Sequence, residues 1–225
     1  MTATRSWLRA VAVLLGLSAV LVPAAAAPAG AAAAPAGYHR TIPEPPAADV
    51  ARAELDKLTV EASHSMNGYN REKYFGSWTK QYGQCNTRQV VLSRDGQRVT
   101  QDAMCRAIAG TWYSPFDGKT LDSALKVDID HIVPLANAWR SGADTWTQDK
   151  RKQFANDLDN PQLIAVSAAS NRSKGDQSPD QWAPPNVDFW CTYSRAWTNV
   201  KYLYKLSVTQ PEKGKIISML NTCDG

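Results

Sequence analysis

The chain has 225 residues, 44 % of them hydrophobic, and a formal net charge of +4 at pH 7. This size is sufficient for one compact domain with a proper core. The charge is too small for a protein that coats nucleic acid, so contact with a polyanion would need a local cluster of side chains and a metal ion.

The first 37 residues have the pattern of a secretory signal peptide and its leader. Arg5 and Arg9 precede an apolar run at residues 10–22, and small residues that suit cleavage follow. Spanning a bilayer takes about 20 apolar residues, so this run is too short for a transmembrane anchor. We therefore predict a secreted, extracellular protein. Loss of the two arginines would lower the formal charge to +2 and leave no membrane segment.

The rest of the chain predicts a linker and one domain. Residues 38–48 are rich in alanine and proline and are predicted to be a flexible linker, and the domain follows at residues 49–225. Asp49 is the expected N-cap of a first short helix. Three strands with turns between them are predicted next, at residues 89–93, 98–100 and 110–113.

The second half of the domain alternates between the two kinds of element. Strands are predicted at residues 127–133 and 163–166, and helices at residues 135–140, 147–157, 168–174, 194–206 and 212–220. Pro134 should end the first of these strands, Thr147 should cap a helix, and Gly175 should end one. The pattern predicts a single α+β domain.

The chain has four cysteines, an even number that favours two disulfides in an exported protein. No two of them form a Cys-x-x-Cys pair, so the spacing does not favour a zinc site. Three pairings are possible. Closing the shorter loops would join Cys85 to Cys105 and Cys191 to Cys223, and the sequence leaves the choice open.

The residues that carry chemistry lie between positions 127 and 176. Asp130 and His131 stand together at the end of a predicted strand, and Asn171 lies in a helix about 40 residues later. A carboxylate and an amide oxygen are ligands that suit Mg²⁺ or Mn²⁺, with water and phosphate completing the coordination. Histidine titrates near neutrality and can take a proton from attacking water.

The motifs Asp130-His131-Ile132-Val133-Pro134, Asp159-Asn160-Pro161-Gln162-Leu163-Ile164 and Asn171-x-x-Lys174 resemble the HNH, or ββα-metal (His-Me finger), nuclease pattern. The resemblance implies a ββα-metal core at about residues 125–176, within a small disulfide-stabilised domain. It implies that His131 is the general base and that Asp130 and Asn171 bind the metal. Asn160 would belong to the catalytic centre by bracing the loop and the histidine. Arg172, Lys174 and Arg140 are the expected phosphate contacts.

The likeness is closer to the GmrSD-type C-terminal-domain branch, in particular to small secreted actinobacterial proteins. Further motifs carry it, among them Tyr69-x-Arg71, Trp78, Cys85-x-Thr87-Arg88 and Trp182-x-Pro184-Pro185. It covers the chain from about Met66 to Cys223. Within these motifs Arg71 could form an ion pair or contact phosphate, and the tryptophans are expected mainly in the core.

The expected function is that of a secreted, metal-dependent endonuclease with low sequence specificity. Its substrate would be DNA, with RNA left open, and its cofactor Mg²⁺ or Mn²⁺. We expect no obligate protein partner. Two alternatives remain open at this stage. One is a catalytically inactive binding or structural protein on the same fold, and the other is an antibacterial nuclease toxin.

Overall fold

The computed structural model describes residues 42–224, so the predicted signal peptide, its leader and the first part of the predicted linker lie outside the described residues. The helices are α1 (Ala48–Lys57), α2 (Arg71–Phe75), α3 (Thr87–Asp95), α4 (Leu135–Arg140), α5 (Gln148–Ala155), α6 (Ala168–Lys174), α7 (Trp190–Tyr204) and α8 (Gln210–Leu220). The strands are β1 (Lys80–Tyr82), β2 (Cys85–Asn86), β3 (Gly96–Gln101), β4 (Ala107–Ser114), β5 (Lys119–Leu121), β6 (Val127–His131) and β7 (Leu163–Ser167). This mixture confirms the predicted α+β class.

The strands of the described region pair only in antiparallel ladders. Strands β1 and β2 form one hairpin, β3, β4 and β5 form a three-stranded sheet, and β6 pairs with β7. In the last pair Val127 lies opposite Ser167 and His131 lies opposite Leu163. Helix α6 begins directly after β7, so these three elements form a ββα unit.

The β6–β7 hairpin separates two hydrophobic cores. Alternate side chains of the hairpin, including Ile129, Leu163 and Ala165, join α3 and β4 in a small core. The intervening residues of β7, Ile164 and Val166, belong to the larger core, which α1, α7 and α8 complete. Both faces of the hairpin are therefore covered, and a period of two sorts its side chains between them.

The sequence-based prediction was wrong for residues 89–93, which lie in helix α3 rather than in a strand. The Asn86 side chain accepts a hydrogen bond from the backbone N–H of Gln89, and the Gln89 side chain accepts one from the N–H of Asn86. This capping box starts a helix that buries Val91 and Leu92 in the small core. The cap and the burial outweigh the strand propensity of the Val-Val-Leu run.

Several other element ends can be compared with expectation. Asp49 lies in the first turn of α1 and Ala47 holds the N-cap position, so the predicted cap is wrong. Thr147 does cap α5, because its hydroxyl accepts from the N–H of Lys150. Gly175 ends α6 with a φ of 56°, a backbone conformation that favours glycine.

Two disulfides join Cys85 to Cys105 and Cys191 to Cys223, which confirms the pairing by shorter loops. The first ties β2 to the turn between β3 and β4. The second ties the start of α7 to the end of the described chain.

Residues 42–47, which fall in the predicted linker, pack on the domain. Ile42 is buried, and the Arg195 guanidinium on α7 donates to the backbone carbonyls of Pro45 and Pro46 at 2.6 Å each. Residues before the predicted start of the domain at residue 49 therefore already pack on the domain. Residue 49 as the limit of the domain stays a prediction.

Candidate active site

A cavity of about 460 Å³ opens at the end of β6, and we call it the His131 pocket. Strand β6 contributes Asp128, Asp130 and His131, and helix α6 contributes Asn171 and Arg172. The segment before β1 closes another side. The sequence places the strand end beside the helix because β7 leads directly into α6 and returns the chain across β6. Four of the predicted site residues thus line one cavity: Asp130, His131, Asn171 and Arg172.

His131 is the last residue of β6 and is buried, with 7 % of its surface exposed. Its Nε2 lies 2.9 Å from the backbone oxygen of Ala155, at the C-terminal end of α5. A carbonyl can only accept, so Nε2 carries the hydrogen and donates it. Burial lowers the pKa of His131 to about 3, so at neutral pH the ring is uncharged and its Nδ1 keeps a free lone pair.

Trp78 holds the same imidazole from its face. The two rings are stacked with their centroids 5.3 Å apart and an angle of 6° between their planes. The next residue, Thr79, donates its backbone N–H to Asn156, which directly follows Ala155. The tryptophan and the carbonyl that hold His131 are therefore tied to one helix end.

Two residues of α6 make hydrogen bonds to β6. The Asn171 side chain donates from Nδ2 to Asp128 Oδ2 at 3.0 Å. The Lys174 ammonium donates to Asp130 Oδ2 and to the backbone oxygen of His131, both at 2.7 Å. Asp128 and Asp130, two residues apart on the strand, thus face Asn171 and Lys174, which are three residues apart on the helix. This spacing is expected when a helix lies along a strand.

The contact between Lys174 and Asp130 is a buried ion pair. Lys174 is fully buried and Asp130 is 4 % exposed. Burial raises the pKa of Asp130 to about 6 and lowers the pKa of Lys174. The charge of each partner opposes the shift of the other, because the two groups are in direct contact. The prediction that Lys174 contacts phosphate is corrected by this geometry, because its ammonium is turned into the core.

The donor atoms around the pocket fit a hard divalent cation. Among residues 42–224, no cluster of three or more His, Cys, Asp or Glu side chains stands ready for a metal. The available set is instead the carboxylates of Asp128 and Asp130 and the amide oxygen of Asn171, which remains available because its Nδ2 makes the contact with Asp128. A few oxygen ligands with water elsewhere suit Mg²⁺ or Mn²⁺ better than zinc.

Two other predicted residues lie away from the pocket or are already paired. Asn160 binds Asp157 with both its backbone N–H and its side-chain amide and lines a separate cavity of about 420 Å³. It holds the loop, as expected, whereas Ala155 and Trp78 hold the histidine. The Arg140 guanidinium is bound to the side chain and the backbone oxygen of Asp176.

Gln162 braces the backbone that follows His131. Its buried side chain donates to the Val133 oxygen at 2.9 Å and accepts from the Val133 N–H at 3.1 Å. Its backbone oxygen also accepts from the N–H of Ile132. Hydrogen bonds to two backbone N–H groups and one carbonyl therefore hold the two residues that follow His131.

Three features of this pocket were not predicted from the sequence. Asp128 was not among the predicted site residues, although its carboxylate accepts a hydrogen bond from Asn171. Trp78 was expected in the core, and nothing local indicates that it stacks on a histidine 53 positions later. The Ala155 carbonyl is a backbone group and leaves no signal in the sequence.

Comparison with known proteins places the chain in a family. The family described as GmrSD restriction endonucleases, C-terminal domain, matches residues 87–219. The chain belongs to this family. An uncharacterized secreted protein from the fungus Arthroderma benhamiae is 53 % identical over 183 residues, which is 81 % of this chain and 89 % of the fungal one. No solved structure matches the chain.

The limits of the GmrSD family match divide the His131 pocket. The β6–β7 hairpin and helix α6 lie inside the matched residues, whereas Tyr69, Arg71 and Trp78 precede them.

Within the described range 42–224, no helix is both long enough and apolar enough to cross a membrane.

Proposed function

We propose that this protein is an exported, metal-dependent endonuclease of the HNH type that hydrolyses phosphodiester bonds in DNA with low sequence specificity, with RNA as a further candidate substrate. The observation that carries the proposal is the position of His131 and the hydrogen bond that orients its ring. Its tautomer is set by Ala155, and it lies in one pocket with Asp128, Asp130 and Asn171. Export is supported by the predicted leader and by the name of the fungal relative. An actinobacterial origin stays a prediction.

In this proposal His131 acts as the general base. Its Nδ1 takes the proton of a water molecule as the water oxygen attacks phosphorus, and the 3′ oxygen leaves. The Nε2 hydrogen bond to Ala155 at the C-terminal end of α5 stabilises the resulting positive ring, because that end of a helix carries partial negative charge. A substrate phosphate beside the ring would also raise the low pKa of the free site.

The expected metal ligands are Asp130 and Asn171, and we add Asp128 to them because its carboxylate lines the same pocket. A divalent cation bound there would neutralise the charge that develops on the leaving oxygen. The buried Lys174 shares Asp130, so one oxygen of this carboxylate is held in place while the other remains available. The products would be 5′-phosphate and 3′-hydroxyl ends.

The test is nicking of supercoiled plasmid by the purified, disulfide-bonded protein with Mg²⁺ or Mn²⁺, with and without EDTA. We expect nicking that needs the metal and that disappears in His131→Ala. The matched control is His64→Ala, which removes a histidine that does not line the pocket. Folded wild-type protein that leaves plasmid, single-stranded DNA and RNA intact with both metals would contradict the proposal and favour a binding protein on the same fold.

A further inference from the structure

A phosphate in the pocket needs a positively charged side chain beside it. The lysine and arginine residues expected from the sequence are not well placed for this contact. Lys174 is buried against Asp130, and Arg140 is bound to Asp176. Arg172 lines the pocket, but 77 % of its side chain is exposed and its Nε lies 3.8 Å from Asp128. Arg88 also lines the pocket, but it donates to the backbone oxygen of Val127 at 2.8 Å.

Arg71 differs from all of these. It is the first residue of α2 and is exposed, and its guanidinium makes no hydrogen bond or ion pair with any residue of the described chain. It lines the His131 pocket and also an adjoining cavity of about 340 Å³, and both cavities are lined by Trp78 and His131 as well. Burial is the main cause of the low pKa of His131, and the charge of Arg71 lowers it further, which is consistent with this proximity.

The backbone that carries Arg71 is fixed although its side chain is free. The Asn70 side chain caps α2 by accepting from the N–H of Lys73 at 2.8 Å. Phe75 at the other end is fully buried, and the Gln148 side chain on α5 donates to the carbonyls of Lys73 and Tyr74. Among the described residues Arg71 is thus a cation without an ion-pair partner, on a supported helix at the edge of the pocket.

We propose that Arg71 binds the non-bridging oxygens of the scissile phosphate and stabilises the charge that they gain during attack. This inference rests on the proposed nuclease function and assigns the phosphate contact to a residue outside the family match, which begins at residue 87. The planar guanidinium can donate two parallel hydrogen bonds to a phosphate, which an ammonium cannot. The phosphate would occupy the space between this guanidinium and the base His131.

The test compares Arg71→Ala with Lys73→Ala. Lys73 lies on the same short helix and carries the same charge, but it does not line the pocket. We expect kcat/KM for plasmid or oligonucleotide cleavage to fall about 100-fold in Arg71→Ala, mainly through kcat, because the contact strengthens in the transition state. The Lys73→Ala variant should stay within about two-fold of wild type, since it changes only the long-range field.

Two further measurements separate phosphate contact from a structural role. Free guanidinium at millimolar concentration should restore part of the activity of Arg71→Ala and none of His131→Ala, and Arg71→Lys should fall between Arg71→Ala and wild type. In a His131→Ala background, which does not cleave, Arg71→Ala should weaken binding of a labelled oligonucleotide by only about three- to ten-fold, as one phosphate contact among several would.

Four outcomes are decisive. A large loss in Arg71→Ala alone, with guanidinium rescue, supports the inference. Equal activities in Arg71→Ala and Lys73→Ala would overturn it while leaving the nuclease proposal intact, and so would a loss that guanidinium does not restore. An inert wild-type protein would instead contradict the nuclease function itself.

Discussion

Replacement of Lys174 by methionine should destabilise the protein strongly, because it leaves the Asp130 carboxylate buried without its partner. The Lys174 ammonium lies 2.7 Å from Asp130 Oδ2 and 2.7 Å from the His131 carbonyl, and both side chains are shielded from solvent. Methionine keeps much of the side-chain length but removes the charge. Removal of one partner from a buried pair typically costs about 3–5 kcal/mol of the free energy of unfolding.

The cost should depend on pH in a defined direction. The folded pKa of Asp130, about 6, already exceeds the value near 3.9 of an unfolded chain. The folded chain therefore holds a proton that the unfolded chain releases, and stability falls as pH rises through this interval by about 1.4 kcal/mol per unit. Without Lys174 the folded pKa should rise further. The fall then extends above pH 6, and the gap between variant and wild type widens from pH 5 to pH 8.

Urea unfolding at pH 5 and pH 8, in EDTA, measures this gap. The matched cycle adds Asp130→Asn and the double variant, which removes both charges together. At pH 8 the double variant should be more stable than Lys174→Met, with a coupling energy of about 2 kcal/mol or more. A loss below about 1 kcal/mol, or one equal at the two pH values, would refute the view that an ionised buried pair joins β6 to α6.

Three further outcomes are expected. The hydrogen bond that His64 Nδ1 donates to the Asp144 carboxylate raises the pKa of His64, so this pair should add stability that is present below pH 6.5 and lost as pH rises through the raised pKa; Asp144→Asn should remove most of that part of the stability–pH profile. Trp78→Ala should lower kcat about 10- to 100-fold by loosening the His131 ring, with little change in KM; an unchanged kcat would show that the stacking is dispensable. Reduction of both disulfides should lower the unfolding free energy by about 2–4 kcal/mol per bridge, and equal urea midpoints before and after reduction would contradict this.

The local elements were predictable where local chemistry sets them. Thr147 caps a helix through its own hydroxyl, and Gly175 ends one because only glycine adopts its backbone conformation readily. The strand prediction for residues 89–93 was wrong for the opposite reason. Their strand propensity is weak information, and a cap at Asn86 with an apolar face against β4 and β7 selects the helix.

The site was predictable as a set of residues and less so as a set of contacts. The motifs located Asp130, His131 and Asn171, and the fold brings all three to one cavity. The roles given to Lys174 and Asn160 depended on which way each side chain turns. That direction is set by the packing of α6 on β6 and by the loop before β7, and neither can be deduced from a motif.

By itself the sequence determined the composition of the chain, its α+β class, the disulfide count and the ββα segment that carries Asp130 and His131. These follow from hydrophobic period, capping residues and residue type, which are properties of neighbouring positions. Only the tertiary structure decided that Ala155 and Trp78 hold the histidine, that Lys174 is a buried counter-ion and that Arg71 has no ion-pair partner within residues 42–224. Burial and hydrogen-bond partners depend on groups tens of residues apart, so they are settled when the elements pack.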